Sequence, residues 1–316
     1  MMNSVISFLD RNPVLTNELR VRMRGRRAFI VLAAHLLMLS GIVFLIYLTI
    51  YEDTQSSSRY YYAGNFQQAI SASSNAGKAI FYGTVLLLLL FVSLVAPGFT
   101  AGSLVGEKER QTYDLLVITT LPARSIVLGK LNAIMTYVLL LIAATLPIQS
   151  MAYFFGGVAL GEVFISILIL LVTAFLFCSL GIFISSFANS TTVANMITYA
   201  LVIPLLVGLP IFIVLTGLVA GGMLFDDFFL SDPPIVLAMT MAYILLLLIS
   251  INPFSMAIAS NLFIVETGNY FFSVERVFDF DIPLIAPWLI YLVVGVIAGI
   301  LLVQAAIYRV SRVNTT

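Results

Sequence analysis

Apolar residues in this chain run in long blocks rather than in short alternations. Seven stretches reach or approach the ~20 residues that a helix needs to cross a hydrocarbon layer about 30 Å thick: Ala28–Ile50, Ala79–Ala101, Ile126–Phe155, Val163–Phe187, Val193–Gly222, Ile235–Ile251 and Leu284–Tyr308. Strand-like alternation over segments of about ten residues is absent, so a β-barrel is not expected. The first block follows a polar-flanked lead, residues 1–27, and is too long for a signal-peptide core, so it is expected to stay in the mature protein.

Composition removes the soluble alternatives. Apolar residues make up 61% of the chain and charged residues 9%, with a mean hydropathy of +1.09; a soluble domain carries roughly 45–50% and about 25%. The single cysteine, Cys178, lies inside an apolar block and is read as a buried structural thiol. Net charge is zero, but its distribution orients the chain. Arg11, Arg20, Arg22, Arg24, Arg26 and Arg27 precede the first block, and positive flanks stay in the cytoplasm, so the N-terminus is placed inside. The loop after the second block returns inside with Lys108, Arg110, Arg124 and Lys130, whereas the fifth block ends at the acidic Asp226, Asp227 and Asp232.

Ile235–Ile251 decides the span count. If it crosses, eleven of fifteen Lys/Arg fall inside; if it is re-entrant, twelve of fifteen do, and Arg309 and Arg312 join them. The arginines directly after the last block carry more weight than that difference. Six spans are therefore expected, with both termini cytoplasmic.

Asn12-Pro13 is a good helix start, Asn as cap and Pro at the first helical position. Leu15, Leu19 and Met23 then recur opposite Arg20, Arg24 and Arg27. This predicts an amphipathic helix lying on the inner membrane surface, with those three arginines as its lipid anchor. Gly98, Gly102 and Gly106, and again Gly295 and Gly299, share a four-residue spacing that lets helices approach closely, either within one chain or between two. Pro204 and Pro210 should kink the fifth span. The polar residues inside spans, His35, Asn132, Gln149, Asn195 and Gln304, form no acidic pair or relay and are expected to hydrogen-bond between helices. With His35 as the only histidine, a His-based metal site and a Ser-His arrangement are not expected. No Gly-x-x-x-x-Gly-Lys-Ser/Thr sequence occurs, so the chain has no phosphate-binding loop and no cofactor of its own.

The most informative stretch is Gly98–Lys130, GFTAGSLVGEKERQTYDLLVITTLPARSIVLGK. A loop that only turned the chain would need a handful of polar residues. This one carries a charged helix start at Glu107–Arg110, an apolar patch at Leu115–Ile118 and a second helix start at Leu121-Pro122, as if built to touch another protein. Glu107-Lys-Glu-Arg-Gln-Thr-Tyr-Asp-Leu115-Leu116, then Thr120-Leu-Pro, then Ile126-Val-Leu-Gly129-Lys130, resembles the signature of ABC-2 type transporter permeases. Asn12-Pro13-Val-Leu-Thr-Asn-Glu18-Leu19-Arg20 is similar to the opening of the same family.

The resemblance implies an all-α membrane protein of six transmembrane helices. It would have an N-terminal amphipathic helix (residues 1–27), a transmembrane domain (28–316), a cytoplasmic coupling segment (102–125) and an outer re-entrant region (223–283). It implies that the coupling segment seats in a groove of an ABC ATPase subunit through Glu107, Glu109, Arg110, Tyr113, Asp114, Leu115 and Leu116. ATP and Mg would be bound by that partner, and a second copy of the permease would complete the cell-membrane complex. Export is expected, with no nucleic-acid partner. Two other classes make different demands. An intramembrane lipid-modifying enzyme needs converging acid, base or metal-binding residues, for which Asp226, Asp227 and Asp232 are the one candidate cluster, better read as a solvated loop. An ion-coupled secondary transporter often carries a midplane carboxylate and internal repeats, and neither is visible here.

Overall fold

The computed structural model describes residues 26–61, 66–112, 122–154, 156–211, 235–277 and 280–313. Helix α1 (Arg26–Tyr61) is followed by α2 (Phe66–Ala101), the short α3 (Val105–Glu109), α4 (Ala123–Phe154), α5 (Leu160–Phe187) and α6 (Thr191–Ile203). A π-helical turn at Pro204–Gly208 continues α6 to Ile211. Then come α7 (Ile235–Ile251), α8 (Pro253–Thr267), strands β1 (Phe272–Val277) and β2 (Phe280–Ile285), and α9 (Pro287–Val313). Among the described residues six helices are long and apolar enough to cross a membrane, and the chain is an all-α membrane protein. Arg20, Arg24, Tyr113, Asp114, Leu115, Leu116, Asp226, Asp227 and Asp232 lie outside the described residues, and Arg27 falls in the first turn of α1.

Helix α5 is the axis of the bundle, with α2 against one face and α9 against another. Lipid offers no hydrophobic drive between helices, so close approach at small residues replaces it. A Cβ at Gly181 of α5 would collide with Thr100 and the Pro97 carbonyl of α2, and a Cβ at Gly299 of α9 would collide with Phe175 of α5. Gly98 likewise makes room for Tyr199, whose hydroxyl donates to the Leu94 carbonyl at 2.9 Å and ties α6 to α2. These three close approaches are made within one chain. Gly102 and Gly106 meet only a Thr191 methyl at 3.9 Å, an ordinary contact. A buried Thr173–Tyr291 hydroxyl pair at 2.7 Å adds a polar tie between α5 and α9. Helix α1 stands apart: 11% of its membrane window is buried, against 61% for α4.

The ends of the spans fall into two sets. His35 stacks on Phe91 and Ile46 lies against Gly83, so α1 and α2 run antiparallel. The start of α4, the end of α5 and the start of α6 gather around α3 at what we term the charged end. Arg309 of α9 lies close enough to Lys108 of α3 for the two charges to repel, which brings the end of α9 there as well. The start of α9 is therefore at the far end.

Helices α7 and α8 enter from that far end and return to it. Tyr243 of α7 donates to the Pro283 carbonyl, and Trp288 at the start of α9 donates to the Tyr270 carbonyl beyond α8 at 2.8 Å. Between them the tip residue Asn252 reaches the carbonyls of Leu205 and Leu206, about 20 Å along α6 from its start. At 17 and 15 residues the two helices are shorter than a ~30 Å crossing requires. They form a hairpin whose tip lies against α6 and whose two ends lie toward the far end.

A two-stranded antiparallel ladder between the hairpin and α9 was not expected from the sequence. It pairs Phe272 with Ile285 through Val277 with Phe280. Pro283 is tolerated because both strands of a two-stranded ladder are edges.

This arrangement predicts that Ser273→Cys and Thr112→Cys, each in a Cys178→Ser background, react with an impermeant maleimide from opposite sides of the membrane. Labelling of both from one side would mean that Ile235–Ile251 crosses.

Candidate functional site at the charged end

Chain leaving α2 turns through Gly102–Leu104 and forms only five residues of helix. Such a length has no stability of its own in isolation, so α3 is held by what surrounds it. Its first free donors, the Leu104 and Val105 amides, both donate to the Ser185 hydroxyl of α5, at 3.0 and 3.1 Å. Three consecutive side chains then reach three different spans.

Glu107 Oε1 pairs with Lys130 Nζ of α4 at 2.7 Å. Lys130 is 1% exposed and also donates to the Ser103 carbonyl at 3.0 Å. A buried ammonium without a counter-charge is strongly unfavourable, so this pair sets where α3 can lie. Lys108 Nζ donates to the Ser186 carbonyl at 2.9 Å and to that of Ala188 at 3.5 Å. It thus places a cation at the C-terminus of α5, where free carbonyls and the helix dipole favour one. Glu109 Oε1 accepts from the Thr191 amide at 2.8 Å and from the Thr191 hydroxyl at 3.2 Å. That puts an anion at the N-terminus of α6, the favourable sign for that end. Ser190 caps the same helix by accepting from the Val193 amide at 3.3 Å.

Helix α3 ends there. Arg110 is exposed, Gln111 adopts φ 57°, and the Thr112 amide closes the turn on the Glu107 carbonyl at 3.0 Å. The sequence placed Glu107, Glu109 and Arg110 side by side as one contact surface; in the fold the two carboxylates are engaged by other spans while Arg110 faces outward. Lys130, Ser185 and Thr191 were not among the expected site residues. A lysine one turn into an apolar block was the available signal for Lys130.

A second polar centre lies inside the bundle. Pro204 and Pro210 bracket the π-helical turn of α6, and within it the Leu209 amide donates to the Pro204 carbonyl. Pro210 has no N–H, so it can serve neither the Leu206 carbonyl in an α register nor that of Leu205 in a π register. Asn252 supplies both missing bonds: its Nδ2 donates to the Leu205 carbonyl and, at 3.0 Å, to that of Leu206. Its Oδ1 accepts from the Phe254 and Ser255 amides, at 2.7 and 3.1 Å, capping α8. Fully buried, Asn252 thereby fastens the hairpin tip to the break in α6. The expected hydrogen bonds at His35, Gln149 and Asn195 are not made. His35 stacks on Phe91 with centroids 4.2 Å apart and both ring nitrogens unpartnered, both amide atoms of Gln149 are unpartnered, and so is Asn195 Oδ1.

The family model for the ABC-2 family transporter protein matches residues 13–310. Comparison with curated protein sequences gives no match.

Glu107→Ala should cost about 3 kcal/mol by stranding the Lys130 ammonium, whereas Glu107→Leu with Lys130→Met should restore most of that loss. Thermal unfolding in detergent reads both. A Glu107→Ala chain that melts with the parent would show that Lys130 does not depend on this carboxylate.

Asn252→Ala should cost about 2–3 kcal/mol through two orphaned carbonyls and a lost cap. In a Pro210→Ala background, where residue 210 regains its N–H and can serve one of the two carbonyls, the same change should cost about 1 kcal/mol less. Equal costs in the two backgrounds would contradict the account given of the π-helical turn.

Proposed function

Because the chain belongs to the ABC-2 transporter family and is a multi-pass membrane permease of that type, we propose that it forms the membrane half of an ATP-driven exporter in the cell membrane. An ABC ATPase subunit binds ATP and Mg and docks on the charged end, which faces the cytoplasm together with both termini. Two copies of the permease join two ATPase subunits. Residues 102–125 are the coupling segment, and Arg20, Arg24 and Arg27 hold the N-terminal helix on the lipid surface.

One observation carries this reading: Glu107, Lys108 and Glu109 bond to α4, α5 and α6 respectively. Displacing α3 therefore loads three spans together. The six-residue stretch from Glu107 to Thr112 then divides its labour. Glu107 and Glu109 transmit through their bonds to Lys130 and Thr191, while Arg110 leads into the docking surface. Leu115 and Leu116 supply burial in the ATPase groove, and Arg110, Tyr113 and Asp114 set register. Movement delivered to α6 reaches its π-helical turn, and through Asn252 the re-entrant hairpin. Closure of the ATPase pair on ATP is thereby passed from one end of the permease to elements that open at the other.

The test uses the chain co-expressed with its ATPase subunit. Leu116→Asp puts a charge into an apolar contact and should reduce capture of the subunit at least tenfold while the permease accumulates in the membrane at the parent level. The permease freed of that subunit should hydrolyse no ATP. Unchanged capture by the Leu116→Asp chain would remove the coupling assignment.

A further inference from the structure

Helices α4 and α9 both pack on α5 and leave a cleft between them. Gly299 lets α9 close onto Phe175, so Phe175 becomes the floor of a cleft between the two outer helices. The cleft has a volume of about 590 Å³, within the ~300–1,000 Å³ of ordinary ligand sites. Leu128 and Leu131 of α4 form one wall. Along α9 it runs from Ile300 to Ser311, about 16 Å of helix rise, which is half of a ~30 Å hydrocarbon layer. The cleft is thus about one leaflet deep and mostly apolar, with Gln304 the one polar side chain midway along it.

Its mouth carries positive charge. Arg124, exposed in the first turn of α4, lines it, and the Arg312 guanidinium sits 4.8 Å from the ring centre of Tyr308, another lining residue. No carboxylate lines the cleft among the described residues. Glu107 and Glu109 of α3 are bonded to Lys130 and Thr191 instead. An apolar slot the depth of one leaflet with a guanidinium at its opening matches one molecule: a membrane phospholipid whose headgroup is anionic.

We propose that this cleft is a binding site for a single anionic phospholipid, with an acyl chain along Leu128, Leu131 and Phe175 and the headgroup phosphate at Arg124. The site belongs to the permease alone and does not depend on the coupling reading. Occupied, it fills the space between α4 and α9.

Native mass spectrometry of the detergent-solubilised full chain, supplied with equal amounts of phosphatidylglycerol and phosphatidylcholine, tests it. The parent should retain one phosphatidylglycerol per chain in preference to phosphatidylcholine. Arg124→Gln should lower that preference about fivefold, the effect of one basic side chain near a lipid surface. Ile300→Trp, which fills the exposed inner part of the cleft, should abolish retention of either lipid. Equal retention of the two lipids by the parent, no retention, or phosphatidylglycerol retention unchanged in both variants would overturn the proposal. So would efficient disulfide dimerisation of Gln304→Cys in a Cys178→Ser background, because the cleft would then be closed by a second copy of the chain.

Discussion

Inside a hydrocarbon layer no water is present to donate or accept, so a polar group left without a partner within the protein is costly. Two groups of this chain find their partners in ways that position whole helices. Lys130, 1% exposed, needs a carboxylate, and Glu107 can supply it only if the chain folds back beneath α2 as α3. With α3 so placed, Lys108 and Glu109 fall on the end of α5 and the start of α6. Deeper in, Pro210 leaves carbonyls of α6 without a donor, and Asn252 supplies it from the tip of a hairpin entering from the far end. The same rule thus governs the charged end and the interior.

Packing around α5 sets the rest. Glycines on α2, α5 and α9 permit contacts that would be impossible with a Cβ, and dispersion across these close contacts stands in for the missing hydrophobic drive. The tightness is local. Between α4 and α9 side chains do not fill the gap, and a cleft with Phe175 at its base results. A bundle organised about one central helix is close-packed along that helix and open between its outer neighbours.

The polar links also define which parts can move together. Helix α6 is bonded to α3 at its first turn and to the hairpin at its break, so it joins the two ends of the molecule. Its π-helical turn is a short, interrupted piece of helix bounded by two prolines, where backbone hydrogen bonds offer less resistance to a change of angle than in a regular turn. On the function proposed above, with the driving reaction on a partner subunit, a mechanical link of this kind is the property the membrane subunit requires.

Much of this was legible in order along the chain. Continuous apolar blocks announce spans because a helix satisfies its own backbone, and the arginines after the last block favoured six of them, as the fold bears out. Pro204 and Pro210 announced the break in α6. The alternation of Phe272, Val274, Phe280, Ile282 and Leu284 was also present, but six-residue strands are short beside helix-length blocks and went unseen. What the sequence by itself determined was the set of spans, their order and the segment of chemical interest, since these depend on local composition and period. Which partner each polar residue takes was decided only by the tertiary structure. Glu107 and Glu109 look equivalent in sequence, yet one neutralises an ammonium of α4 and the other caps α6. Asn252 looks like an ordinary helix cap until α6 is laid beside it. Hydrogen bonds and ion pairs act over about 3 Å, and contacts at that range between residues distant in sequence are created by packing alone.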